Sequence, residues 1–175
     1  MKPFIGIKKI WYGDVFTEAV TKASLKTWLE SATQVKNSHQ DTWQYTEDDP
    51  TYTDYINELS GNIYYRDVTQ KGAKTITFTM GEYTFDDKID LQGGEKVDTD
   101  AGWSASDTPG IVNKGIVGQT KTGNYVVFTN AAVIAKGTMA EKNIGLGVTA
   151  VAMENPNDNV KSDYLFDGEK VEAAA

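Results

Sequence analysis

Two hydrophobic periods run along the chain, and they predict most of its elements. "FIGIKKIWYG" (4–13) is rich in β-branched and aromatic residues and ends in glycine, which predicts a strand. "KTITFTM" (74–80) alternates strictly, with Ile76, Phe78 and Met80 on one face and Thr75, Thr77 and Thr79 on the other. "NIYYRDV" (62–68) is strand-like, and so are "GIVNKGIVGQ" (110–119), "NYVVFTN" (124–130) and "NIGLGVTAVAM" (143–153). "KTGN" is a turn joining 110–119 to 124–130 as a hairpin. "AAVIAKG" (131–137) is either a continuation of that second strand or a further one. In 143–153, Ile144, Leu146, Val148, Ala150 and Ala152 share a face. The expected core joins Ile76, Phe78, Ile144, Leu146 and Val148, covered by Leu25 or Phe85 from a helix.

The helical period appears twice. Leu25, Trp28, Leu29 and Ala32 lie at i, i+3, i+4 and i+7, with Thr21 or Ser24 as the cap. In "TFDDKIDLQGG" (84–94), Thr84 and Asp87 fit a capping box, Phe85 and Ile89 stand one turn apart, and Gly93 occupies the C-cap. Residues 94–110 are small, polar and glycine-rich, which predicts a loop. "TQVKNSH" (33–39) is short and opens toward another strand. The sum is six to eight short strands and one or two short helices. That makes a mainly β (α+β) chain, a β-sandwich or small barrel with the helices packed against it. With no repeat and no linker, residues 1–175 read as one domain, with a polar C-terminal arm from about residue 155.

One stretch obeys neither period. "HQDTWQYTEDDPTYTDYINELSG" (39–61) carries six carboxylates, one tryptophan, three tyrosines and the only histidine. It reads as a long loop, and a free loop of this length is uncommon without a partner to order it.

Charge and composition narrow the chemistry. The formal net charge is -8, from 25 acidic against 17 basic residues, and no basic run exceeds Lys8-Lys9. Phosphate neutralisation needs clustered cations, so sequence-independent binding to nucleic acid or an anionic membrane is disfavoured. The absence of cysteine excludes disulfides, thiolate catalysis and zinc ribbons. A single histidine excludes a two- or three-histidine metal site within one chain. No apolar run is long enough for a signal peptide or a membrane helix, so the chain is expected to be soluble and made in the cytoplasm.

The candidate catalytic sets are thin. His39 and Asp41 lack a nucleophile elbow. Glu47, Asp48 and Asp49, with Asp41 and Asp54, are hard-cation donors in type, but a solvated acidic loop is the default reading. "DTDAGWSASD" (98–107) lacks the glycine and glutamate of an EF-hand loop. Asp86-Asp87 is a glycosidase-like carboxylate pair already explained by the helix cap. Gly145 and Gly147 sit in a strand pattern without the rest of a dinucleotide motif. The expectation is a non-enzyme with no cofactor and no metal. The remaining signal is aromatic: Trp43 and Tyr45, Tyr52, Tyr55, Tyr64 and Tyr65 either stack on a ligand, pack on the chain's own sheet, or centre a protein interface.

"YTEDDPTYTDYINELSG" between strands, "KTITFTMGEYTF" running into a helix, and "VVFTNAAVIAKGTMAEKNIGLGVTAVAM" near the C-terminus together give an order of elements that resembles the tail tube (major tail) proteins of long-tailed bacteriophages. The likeness spans nearly the whole chain but rests on no diagnostic motif, and the helix at 22–32 departs from it. The resemblance implies a structural virion protein, including one carried by a prophage. Its subunits would form hexameric rings that stack into a hollow tube. Its partners would be itself, other tail proteins, and viral DNA that passes through the lumen without specific binding, with no membrane involved. The location would be the virion tail, after synthesis in the host cytoplasm. On this reading the ring-stacking interface comprises Trp43, Tyr45, Glu47, Asp48, Asp49, Tyr52 and Tyr55. The alternative is a carbohydrate- or ligand-binding β-sandwich module.

Overall fold

The computed structural model describes residues 1–108 and 110–173, so Pro109 of the 94–110 segment and Ala174-Ala175 lie outside the described residues. Elements follow in the order β1 (Lys9–Gly13), α1 (Lys22–Ser31), β2 (Thr33–Gln34), β3 (Asn37–Ser38), β4 (Gln44–Glu47), β5 (Thr51–Ile56), β6 (Ile63–Gln70) and β7 (Lys74–Glu82). Then come α2 (Phe85–Gln92), β8 (Glu95–Val97), β9 (Gly102–Ser104), β10 (Val112–Gln119), β11 (Tyr125–Ala140), β12 (Asn143–Ala152), β13 (Asp163–Phe166) and α3 (Gly168–Glu172).

The chain is mainly β, and its main sheet is antiparallel and curled into a half-barrel. The order is β2-β1-β10-β11-β12-β7, with β3 and β4 both on the far edge of β7. The 131–137 segment continues its strand, so β11 runs unbroken for 16 residues. Its first half lies between β10 and β13, and its second half pairs with β12.

Strand alternation gives this sheet two buried faces. Ile10, Tyr12, Ile76, Phe78, Met80, Ile116, Phe128, Leu146 and Val148 fill one, and α2 covers it with Leu91. Trp11, Val117, Tyr125 and Val127, from the intervening positions, fill the other with Phe16, Val20, Leu25, Val160 and Val171. Burying both faces explains the continuous apolar run in "YVVF", which strict alternation would not give. The two longer helices, α1 and α2, each start at a capping box. Thr21 with Ser24 opens α1, and Thr84 with Asp87 opens α2, satisfying backbone N–H groups that have no helical partner.

Several expectations are corrected. Ile144 is exposed, because the β11–β12 hairpin overhangs the rest of the sheet and carries Ile144 past the core. Neither Leu25 nor Phe85 covers the Phe78 core: Leu25 belongs to the opposite face, and Phe85, on the first turn of α2, is exposed while Leu91 points inward. Of residues 4–13 only Lys9–Gly13 pairs as a strand. The 94–110 segment contains the small β8–β9 hairpin, pinned by the Trp103 indole N–H donating to the Gly93 carbonyl at 2.9 Å.

The region after residue 155 is no free arm. β13 zips onto β11 from Tyr125↔Phe166 to Phe128↔Asp163, and Val160 and Val171 are buried. Asn155, itself buried, donates to the Phe16 carbonyl at 2.9 Å. Residues 39–61 are not one loop either. β4 extends the main sheet, and β5 forms a separate two-stranded ribbon with β6. The alternation in "TYTDYI" by itself carries no strand signal in the sequence because both of its faces are wet, so no apolar-in, polar-out contrast marks it.

Candidate assembly surface

The β5–β6 ribbon is built by its cross-strand pairs. Asp54 faces Arg66 and accepts a forked pair of bonds, at 2.5 Å from Nε and 2.9 Å from Nη2. The Arg66 guanidinium also lies 3.9 Å from the centre of the Tyr52 ring. The bond from Arg66 holds the Asp54 carboxyl below its usual range. Tyr55 faces Tyr65 with ring centres 5.7 Å apart, and the Thr51 and Thr69 hydroxyls meet at 3.1 Å. At the tip, Gly61 takes a left-handed φ of 71° and donates to the Asn57 carbonyl at 2.7 Å, while the Asn57 side chain accepts from the Leu59 N–H at 2.9 Å.

These pairs shape the ribbon but bury little. Tyr52, Tyr55, Ile56, Leu59, Ile63, Tyr64, Tyr65 and Val68 are all exposed, Leu59 at 98%. Among the described residues, each strand of the ribbon pairs only with the other. A two-stranded hairpin without a covered face is marginal in water, so this one presents contact area that its own fold does not use.

The ribbon joins the sheet through a narrow neck, residues 48–50 and 71–73. The Asp48 N–H donates to the Ala73 carbonyl at 2.9 Å. A Cβ on Gly72 would collide with the Asp48 carbonyl, so only glycine allows the two neck segments to pass this closely. Just inside the neck Lys74 sits 2.7 Å from Asp163 and 3.6 Å from Glu47, tying β7 to β13 and β4. The bond from Asp163 raises the Lys74 ammonium above its ordinary pKa despite partial burial. A groove of about 840 Å³ opens beside the neck, lined by Asp48, Lys71, Met153, Asp158, Lys161 and others, none of them aromatic.

The seven residues expected at the interface fall into three groups. Trp43 packs into the core with its ring centre 6.4 Å from Phe78, and Tyr45 lies 6.2 Å from Phe128 with its phenol partly exposed. Burial pushes the Tyr45 phenol up against the opposing pull of Lys74. These two are largely structural. Glu47, Asp48 and Asp49 run from the end of β4 into the neck. Tyr52 and Tyr55 stand on the ribbon. Sequence reasoning singles out Tyr64 and Tyr65 on β6 as unassigned aromatics without placing them at the stacking interface, and it misses Ile63, Arg66 and Val68, which complete the surface. The signal was the complementary alternation of "TYTDYI" and "IYYRDV" around "NELSGN", which reads as a hairpin once the two are set antiparallel.

The other candidates are dispersed or engaged. His39 lies 3.9 Å from Glu141 across the tip of the β11–β12 hairpin. Asp86 pairs with Lys96 at 2.7 Å, and Asp87 caps α2. Among the described residues no group of three or more His, Cys, Asp or Glu side chains could hold a metal ion, and no helix is long and apolar enough to cross a membrane. No protein-family model matches the sequence, and no curated protein matches it.

Proposed function

We propose that this chain is a self-assembling structural subunit, a tail tube protein of a long-tailed bacteriophage, and that the β5–β6 ribbon makes the contact between stacked rings. The observation that carries the reading is the ribbon itself: eight large apolar or aromatic side chains exposed on a hairpin whose strands pair with nothing else among the described residues. Interfaces are enriched in such residues at their centres. A net charge of -8 suits a channel through which DNA slides without adhering. The groove beside the neck has no aromatic lining, so it gives the sugar-binding alternative no support.

The test replaces residues 51–70 with a short glycine-containing link. The neck already brings Asp48 and Ala73 within one hydrogen bond, so the sheet closes across the gap with little change. Sedimentation velocity and negative-stain electron microscopy of wild type and deletion, at matched high concentration, read the outcome. Tubes from the wild type, and single rings or monomers from the deletion, are expected. Tubes formed equally by both remove the ribbon from the mechanism. A wild type that stays monomeric at every concentration and salt removes the assembly reading.

A further inference from the structure

The ribbon needs an acceptor, and the main sheet has one open edge long enough to be it. Pairing of β10 with β11 stops at Val112↔Val133, yet β11 continues to Ala140, held on its other side by β12 as far as Ala140↔Asn143. Residues 134–140 therefore have a strand on one side only. Exposed strand edges are usually blunted by proline, by several charges or by shortness. "IAKGTMA" has seven residues, one lysine and no proline. Ile134 and Met139 on it, and Ile144 opposite Met139 on β12, are more than half exposed. The other edge strands of the main sheet among the described residues, β2, β3, β4 and β13, run for two to four residues.

Building on the tube reading above, we infer that this edge receives the outer edge of β6 from a second copy, extending the β11–β12 overhang into a sheet shared between subunits. Three observations select that occupant. The lengths match, since β6 has eight residues against seven on the open edge. The charges match: the arm from Asp48 to Gln70 carries five carboxylates against one arginine, while the overhang from 134 to 145 carries Lys136 and Lys142 against Glu141. Asp67 on β6 and Lys136 on β11 are exposed and make no ion pair within 4 Å among the described residues of their own chain. Finally, the two features lie at opposite ends of β7. The neck adjoins Lys74, whereas the overhang passes Met80, where the Asn143 amide reaches the Gly81 carbonyl. A contact joining opposite ends of two identical chains runs head to tail and propagates.

The chain has no cysteine, so a disulfide between introduced residues has one possible pairing per variant. Mixing Asp67→Cys with Lys136→Cys protein under mild oxidation should give crosslinked dimers, while either variant alone should give far fewer. Separately, Lys136→Glu should raise the concentration needed for assembly about tenfold or more, as a like-charge juxtaposition does. Adding Asp67→Lys to it should restore assembly. Both positions are exposed, so neither change disturbs the core. If the wild type assembles but the crosslink fails, or the charge swap does not rescue, this acceptor is overturned and the tube reading stands. If the wild type never assembles, both fall.

Discussion

Replacing Tyr12 by phenylalanine tests how the first strand holds the second helix. Tyr12 is 1% exposed, and its hydroxyl donates to Asp87 Oδ1 at 2.5 Å. The other carboxylate oxygen accepts from the Thr84 N–H at 2.7 Å and its hydroxyl at 2.8 Å. One carboxylate thus closes the α2 capping box and ties the helix to β1. The substitution keeps the ring and its packing, and leaves Oδ1 without its donor. A hydrogen bond to a charged group contributes about 1.5–3 kcal/mol when well buried. Asp87 is only half-buried, so solvent screening discounts the loss to about 1–2 kcal/mol at neutral pH. For a chain of this size that corresponds to a fall in Tm of about 3–6 °C.

The pH dependence makes the test specific. Burial alone would raise the Asp87 carboxyl, but the bonds from Tyr12 and Thr84 overcome it and hold the group below its usual range. A depressed carboxyl stabilises the fold above its unfolded pKa, near 4, and that contribution disappears as pH falls through the folded value. Tyr12 moves the other way. Burial first, and the bond to Asp87 second, push its phenol far above the ordinary value. Its contribution is complete below about pH 10 and is lost as pH rises beyond. Urea unfolding of wild type and Tyr12→Phe, followed by tryptophan fluorescence from pH 3 to 11, should show a steady gap between about pH 5 and 9 that narrows at both extremes. A gap that is absent at pH 7, or flat across the whole range, would refute the linkage.

Three further outcomes are expected. Phe78→Ala, in the centre of the larger core at 1% exposure, should cost about 3–5 kcal/mol in chemical unfolding, and a loss below about 1 kcal/mol would mean that the faces of β7 are assigned the wrong way round. Gly72→Ala should force the neck apart and abolish hydrogen-exchange protection of the Asp48 N–H while leaving protection in β11 and β12 intact; unchanged protection at Asp48 would show that the neck tolerates a Cβ. Limited proteolysis of the unassembled chain, mapped by mass spectrometry, should cut first between Asn57 and Asn62, at the ribbon's tip, and a first cut anywhere in β7 would contradict the fold.

What the sequence made legible follows from where contrast exists between neighbouring positions. Thr84, Asp87 and Gly93 announced α2 because caps are local chemistry, read within a few residues. "KTITFTM" announced β7 because one face meets a core and the other does not. The β11 core strand was legible as a strand, but its length was not, since "NAAVIAKG" loses contrast where the hairpin leaves the sheet. Ile144 shows the limit most plainly. Its place in the alternation is correct and its face is the core face, yet the fold ends before reaching it. Tertiary extent is not encoded in a two-residue period. The opposite failure occurred at Val160 and Val171, lone apolar residues in polar surroundings, which are buried only because β13 returns to β11. In the candidate site, type was legible and geometry was not. Tyr52 and Tyr55 stood out as unused aromatics, whereas Trp43 and Tyr45, of the same composition and only a few residues earlier, turned inward to Phe78 and Phe128.

The energetics of the ribbon constrain how an assembly built on it would behave. Fully burying a large apolar side chain contributes about 1.5–3 kcal/mol, and the ribbon's eight are each roughly half exposed or more, so much of that sum is still unrealised in the single chain. Association removes translational and rotational freedom and must also order a hairpin that is marginal by itself, which consumes much of the gain. A single ribbon-to-edge contact is therefore weak. In a ring of six copies, the number implied by the tail tube resemblance, the first docked ribbon holds the other five near their acceptors. Each later contact then forms at high effective concentration. Two rings would bind tightly where two monomers do not, so a free subunit could accumulate in solution without polymerising until something nucleates the first ring. On this reading the half-exposed tyrosines of β5 and β6 are tuned to be insufficient alone. Making the ribbon more apolar, for instance by Asp67→Val, should trade that control for uncontrolled association of monomers, visible as aggregates without tube morphology.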